Sequence, residues 1–307
     1  MASPHLTATL HTSYTPLRPA RHSCSMISDE IQSCLHCFTA ADADVVLRST
    51  QPDATDFRLH KCILALASPF FENMFSLPQP SGADDLPVID VSEQAAVLNA
   101  VLQFVYPVLD PAIETLDELL SVLTVAMKYE FTAAVHNLRQ LLVSPRFVTV
   151  EPMKVFAIAC RFDLDDEAKT ASRYTLSTDV LTAPLTDDLK YLSAYSYRRL
   201  LDLHRTRAAA AQKVLQSTKP ASVDTLKCMQ CSAVAFGTYM PPRWWMDFQK
   251  RGCEELGKRP CTDVVFSMAF LSQSARTGCP RCAESVLNSY SFIERLKEEI
   301  DELPATI

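Results

Sequence analysis

Apolar and polar positions alternate in two short runs near residue 50, and from there a helical period holds along most of the chain. Val45 and Leu47 share one face of a predicted strand that opens at Asp44, and Phe57 and Leu59 share one face of the next. Gln51-Pro52-Asp53 between them carries turn chemistry, so the pair reads as a hairpin. Ser68 is placed to cap the following helix, with Pro69 at its first position where a missing N–H costs nothing. Phe70, Phe71, Met74 and Phe75 then fall on one side. Ser76 to Leu86, rich in Pro, Ser and Asp, reads as a surface loop, and Val88 to Val91 as a third strand. Ser92 is expected to cap a helix through Val97, Leu98, Val101, Leu102 and Val105, closed by Tyr106-Pro107. Leu116, Leu119, Leu120, Leu123 and Met127 mark another helix, with Asp117 and Glu118 favourable in its first turn, and Val135, Leu138, Leu141 and Leu142 mark one more.

Beyond residue 142 the pattern is helical. Pro152 starts a helix with Val155, Phe156 and Ala159 inward; Asp165-Asp166-Glu167 opens one reaching Tyr174 and Leu176; Leu185 to Leu192 is a third. A longer helix carries Tyr197, Leu200, Leu201, His204, Ala208, Ala211 and Leu215 at spacings of three and four, a stripe that reads as core. Ser217 to Ser222 is a small linker. After it, Pro242 to Leu256 and Thr262 to Leu271 read as two helices. A final helix with Val286, Tyr290, Ile293, Leu296 and Ile300 on one face either completes this last unit or offers a groove-binding stripe. The acidic runs at Asp165 to Glu167 and Glu298 to Glu302 read as solvated helix faces.

The strand-opening Asp44, the run Phe57-x-x-His60-Lys61, Leu64 and the turn Ser68-x-x-Phe71 follow one another at a spacing that resembles the BTB/POZ domain. Tyr106 falls where that family has an aromatic residue, and Tyr-Pro-x-x-Asp-Pro ending at Pro111 is similar to a variant in basidiomycete fungi. The helices after residue 142 resemble the extension called BACK. The fold class expected is α+β and predominantly α: a small sheet capped by helices, an all-α extension and a small Cys-rich helical unit. The expected partition is a disordered tail (1–38), BTB/POZ domain (39–142), BACK-like extension (143–216), linker (217–222) and Cys-rich unit (223–307). The resemblance implies self-association as a homodimer or homo-oligomer, recruitment of a cullin-3 ubiquitin ligase scaffold, and partner binding by Asp44, His60, Lys61, Phe71, Met74 and Tyr106. In some BTB homodimers an acid such as Asp44 and a base such as Lys61 meet in a charged pocket near the interface. Cullin-binding members commonly carry an apolar-x-Glu motif in the loop after the Phe-rich helix. Ser76 to Leu86 has no Glu, and Val91-Ser92-Glu93 has the right letters at the strand end instead. The long N-terminal helix and swapped strand of transcription-factor members have only Ile27 to Phe38 as a counterpart.

Composition narrows the function. A net charge of −7 and only 5 glycines, without G-x-G-x-x-G or G-x-x-x-x-G-K, speak against nucleic-acid binding and common nucleotide enzymes. Residues 1–28 lack an acidic residue and an apolar run of signal-peptide length; Arg18 and Arg21 are few for a mitochondrial transit peptide. No stretch approaches the ~20 apolar residues of a membrane span, so the expected setting is cytoplasmic and/or nuclear. There the 11 cysteines suit reduced thiols or metal ligands better than disulfides. Cys228-x-x-Cys231 and Cys279-x-x-Cys282 are two pairs whose spacing lets both sulfurs of each bind one ion, and four thiolates close a structural zinc site. The alternatives are thiols packed in a helical core, or a thiol-disulfide enzyme with Cys279-Pro280-Arg281-Cys282 ahead of a helix. A third pair, Cys34 and Cys37, reads as unpaired thiols, the alternative being that it ligates metal with one of the other pairs. His60, without a nucleophile pattern beside it, reads as structural. The expected protein is therefore a non-catalytic adaptor; the other readings are an oligomerising transcriptional or chromatin cofactor, and a thiol-dependent redox enzyme.

Overall fold

The computed structural model describes residues 38–51, 54–78, 86–217, 226–235 and 238–307. The expected tail, the Cys34/Cys37 pair, most of the 76–86 loop and most of the 217–222 linker lie outside these residues. The chain divides into two compact units, residues 1–109 and 110–307.

In the first unit, β1 (Val45–Arg48), β2 (Asp56–Leu59) and β3 (Val88–Asp90) form a sheet in the order β2-β1-β3. The predicted hairpin is present: β1 and β2 are antiparallel, with Val45 opposite Leu59 and Leu47 opposite Phe57. β3 joins the other edge of β1 in parallel. As the central strand β1 is covered on both faces, which buries Val46 along with Val45 and Leu47. Then come α1 (Lys61–Ala67), α2 (Pro69–Ser76) and, after β3, α3 (Ala95–Gln103). Ser68 caps α2 as predicted, its Oγ accepting from the Phe71 N–H at 3.1 Å with Pro69 in the first turn. Ser92 does not cap α3. Its hydroxyl donates to Glu93 at 3.0 Å, and the helix starts two residues later behind Gln94, which makes no side-chain cap.

The second unit is helical: α4 (Leu116–Lys128), α5 (Thr132–Leu142), α6 (Pro145–Val148), α7 (Pro152–Arg161), α8 (Asp165–Thr175), a 3-10 turn (Asp187–Tyr191) and α9 (Ala194–Gln216). Thr115 and Glu118 close a reciprocal capping box at the start of α4. α4 and α7 end alike, with an acid in the left-handed conformation, Glu130 at φ 55° and Asp163 at φ 53°. The next amide reaches back in each case, Phe131 N–H to Ala126 O and Leu164 N–H to Ala159 O, both 2.9 Å, which turns the chain into α5 and α8. The predicted helix Leu185–Leu192 is reduced to the 3-10 turn, which has no buried residue, while Leu185 is 90% exposed. A short helix without a packed face has too little support to persist. Glu167 departs from the solvated face assigned to it: it is buried and bound at both oxygens by Arg139, at 2.7 and 2.9 Å.

A two-stranded ladder, β4 (Ala233–Ala235) with β5 (Thr238–Met240), precedes α10 (Arg243–Lys258), α11 (Thr262–Val265), α12 (Met268–Thr277), α13 (Cys282–Asn288) and α14 (Tyr290–Asp301). The helix expected over Thr262–Leu271 breaks because the Ser267 Oγ accepts from Phe270 N–H at 3.2 Å and starts a new one. α9 and the Cys-rich segment share one core: Ala211 and Leu215 are buried with Trp244, Trp245, Phe248, Leu271, Cys282, Ile293 and Ile300. The final apolar stripe thus completes the unit through Ile293, Leu296 and Ile300. Among the described residues no helix is long and apolar enough to cross a membrane.

His204, on the buried face of α9, lies 3.0 Å from Thr175 Oγ1. That hydroxyl donates to Ser172 O at 2.6 Å, so it accepts from the ring N–H. Burial pushes the His204 pKa down to about 4 from the ordinary 6.5. Between those values the unfolded chain takes up a proton that the folded chain refuses. This contribution to stability is full above 6.5 and lost as pH falls towards 4, by roughly 3 kcal/mol. Urea unfolding of wild type and His204→Gln from pH 7.5 to 4.5 should show a shallower decline in the variant; parallel curves would refute this assignment.

Candidate functional site

Four cysteines from two distant stretches converge in the second unit. Cys228 and Cys231 flank a tight turn ahead of β4; Cys279 ends the loop after α12, and Cys282 opens α13. Their sulfur atoms all lie within 4.8 Å of one another, and no other such group of possible ligands occurs among the described residues. The nearest approaches join the pairs: Cys228 to Cys279 at 3.3 Å and Cys231 to Cys282 at 3.5 Å, with Cys279 to Cys282 at 3.7 Å and Cys282 to Cys228 at 4.0 Å. These separations are too long for disulfides, whose S–S bond is about 2.0 Å, and the thiols are free. They match the edges of a tetrahedron around one ion, so the cluster has the donors and shape to bind a metal.

Local backbone and a buried polar relay hold this geometry. Cys228 N–H donates to Ser232 Oγ at 2.9 Å. Ser285, three residues after Cys282, donates to Lys227 O at 3.0 Å and accepts from the Trp244 indole N–H at 2.9 Å, tying the two Cys stretches to α10. Trp244 is fully buried, edge-on to Trp245 at 5.7 Å, and belongs to the same core cluster as Cys228 and Cys282. Burial pushes the Cys282 thiol up to about 12, reinforced by neighbouring sulfurs. Cys228 is held down at about 7, because the amides of Gln230 and Cys231 and two nearby thiols outweigh its burial. Without a cation one member ionises readily and its charge opposes the rest; a divalent ion reverses that balance.

Gly278 is part of the construction. A β-carbon there would fall on the Cys282 sulfur and 2.8 Å from its Cβ. Gly278→Ala should therefore cost about 2 kcal/mol by overpacking, read by urea unfolding, with faster reaction of the four thiols towards Ellman's reagent. Unchanged unfolding and unchanged thiol rates would count against the cluster's geometry. Sequence reasoning found all four cysteines but missed Gly278, Ser285 and Trp244, whose roles follow from distant contacts with no local signature.

In the first unit the other singled-out residues divide. The Asp44 carboxylate accepts from Lys61 N–H at 2.7 Å, fastening the start of α1 to the strand. The Lys61 ammonium stands 5.9 Å from the Phe75 ring centre. The His60 main-chain N–H donates to Tyr106 Oη at 2.9 Å, and its ring Nε2 lies 3.3 Å from Asp42. Tyr106 packs edge-on against Phe38 at 5.3 Å, and burial raises its hydroxyl pKa despite the His60 amide. Phe71 is a correction to the partner-facing set. At 1% exposure its ring belongs to the core, because the Ser68 cap turns that face of α2 inward. Met74 is half-buried, and Phe70 and Leu66 are the apolar side chains that face solvent. Glu93 is 9% exposed and its carbonyl accepts from Thr50 N–H at 2.9 Å, so Val91 and Glu93 turn into the fold on either side of the exposed Ser92.

Residues 38–145 match the family model described as the BTB/POZ domain, so the chain carries that domain there, running from the first unit into the first helices of the second. A comparison with curated proteins found no match. The domain is a protein–protein interaction module.

Proposed function

We propose that this BTB/POZ protein is a non-catalytic adaptor, self-associating through its first domain, whose Cys-rich end is fastened by one structural zinc ion. The observation that carries the reading is the BTB/POZ domain itself, together with Leu66 at 91%, Phe70 at 39% and Leu77 at 61% exposure on and beside α1 and α2. Apolar side chains turned outward on a rigid helix pair are the kind of anchor that protein interfaces bury. Asp44, Lys61 and Met74 border the same helices and would contribute at the rim of a partner contact. A cullin-3 scaffold is the partner class this domain suggests, although Glu93, the end of the apolar-x-Glu sequence Val91-Ser92-Glu93, is buried. Cytoplasm and nucleus are the compartments that fit such a role.

Zinc is supported by donor chemistry and size. Four thiolates are its usual structural set, and Zn–S bonds of about 2.3 Å place sulfurs about 3.8 Å apart on a tetrahedron, within the range found for the cysteine cluster. A thiol-disulfide enzyme would present one pair to a substrate, whereas here each pair faces the other.

Light scattering of the full chain should give at least twice the chain mass, and an immobilised cullin-3 N-terminal domain should retain it. Phe70→Asp with Met74→Asp should weaken both while the melting curve persists. A dimer indifferent to cullin-3 leaves the oligomerising cofactor reading. A monomer that ignores the scaffold overturns the proposal.

A further inference from the structure

We propose that the arginine–tyrosine surface where α7, the 3-10 turn and the start of α9 meet is a docking site for an acidic peptide segment of a partner protein. The Arg161 guanidinium lies 4.1 Å from the Tyr191 ring centre and 5.5 Å from that of Phe162, and Arg199 lies 5.8 Å from Tyr195. Cys160, beside Arg161 in sequence, lies near enough to Ser196 and Arg199 for both to act on its thiol. Tyr191 is 57% and Tyr195 72% exposed. The surface therefore shows rings and guanidinium planes already stacked on one another.

Charge selects the occupant. The neighbouring bases are occupied: Lys190 by Asp187 at 2.7 Å, and Arg198 and Arg205 by Asp202 at 3.0 and 3.9 Å. Asp188 acts on Lys154. Arg161 and Arg199 have no carboxylate within salt-bridge reach among the described residues; Asp163 and Asp165, at the same end, stay beyond it. Each of these guanidiniums keeps its planar fork free to take a carboxylate through two N–H donors, and Tyr and Arg are the side chains that most often dominate interface energy. Nucleic acid is the poorer fit, because its affinity is built from many Lys and Arg contacts along the phosphates, whereas the basic side chains beside Arg161 and Arg199 are already paired.

Short random peptides displayed on phage, selected on the full chain, test the proposal. Enriched sequences should exceed the input library in Asp and Glu. A synthetic representative should bind about tenfold more weakly, or worse, to the Arg161→Gln, Arg199→Gln double variant and weaken as salt rises. Tyr191→Ala should reduce binding as well, with both variants melting like wild type. Failure to enrich any sequence, enrichment without acidic excess, or equal binding by the double variant overturns the proposal. Full displacement of the peptide by polyuridylate at equal charge would reassign the surface to nucleic acid.

Discussion

Replacing Cys282 by serine should lower the thermal midpoint by about 10 °C or more and free the Cys-rich segment from the core. The side chain is 0% exposed and sits in the same cluster as Trp244, Trp245 and Phe248. With the proposed zinc bound, losing one of four ligands would weaken its hold, and the remaining thiols, within 4.8 Å of one another, would lose the cation that offsets their repulsion. A structural ion releases its binding energy as folding energy, so roughly 4 kcal/mol or more should vanish, which for a unit of this size is the shift stated. Calorimetry reports the midpoint, and fluorescence of the paired tryptophans reports the local loosening. Removing metal from wild type with a strong chelator should reproduce the effect, whereas Cys62→Ser, an exposed thiol on α1, should leave the melt unchanged. A Cys282→Ser variant that melts like wild type would show that the sulfurs are ordinary packed thiols.

Arg207→Met should be the second large loss, about 3–5 kcal/mol by urea unfolding. Arg207 is 5% exposed on the inward face of α9, and its guanidinium donates to the carbonyls of Pro260, Ile300, Leu303 and Pro304. Methionine keeps the volume of the stem but leaves four carbonyl acceptors, the Pro260 and Ile300 bonds among them buried, without their donor. The carbonyls belong to the turn before α11 and to the end of α14, so amide exchange over residues 300–307 should quicken with the loss of stability. Arg207→Lys should recover only part, since an ammonium lacks the planar fork that reaches several carbonyls at once. Arg205→Met, on the exposed face with a pair at 3.9 Å, should change stability by no more than about 0.5 kcal/mol. Equal losses at both positions would refute the anchoring role of Arg207.

Much of this architecture was legible in the chain because local rules and packing agree. The alternation at Val45/Leu47 and Phe57/Leu59 gave the hairpin, and Ser68-Pro69 marked the start of α2 where the cap is found. The stripe from Leu200 to Leu215 is the buried face of α9, though its pattern did not announce Arg207, a charge placed among apolar positions. Leu185 misled in the other direction, since an apolar residue at helical spacing counts only if something covers it. Ser92 and Ser267 show why caps are ambiguous: each hydroxyl had a helix nearby, but Ser92 turned to Glu93 while Ser267 split a predicted helix. The repeated endings Lys128-Tyr129-Glu130-Phe131 and Arg161-Phe162-Asp163-Leu164 carry no ordinary stop signal, because acids rather than glycines occupy the left-handed positions. At the cysteine cluster, spacing identified the donors. The enclosure by Gly278, Ser285 and Trp244 depends on how α10 and α13 pack, which no local pattern encodes.

The most direct test of the central claim, a closed structural site in a non-catalytic interaction protein, is zinc-edge X-ray absorption of the natively purified chain together with its metal stoichiometry. The account predicts one zinc per chain with four sulfurs at about 2.3 Å and no oxygen or nitrogen neighbour. A metal with fewer than four sulfurs and an open or water-filled position, or a chain without bound metal, would contradict it.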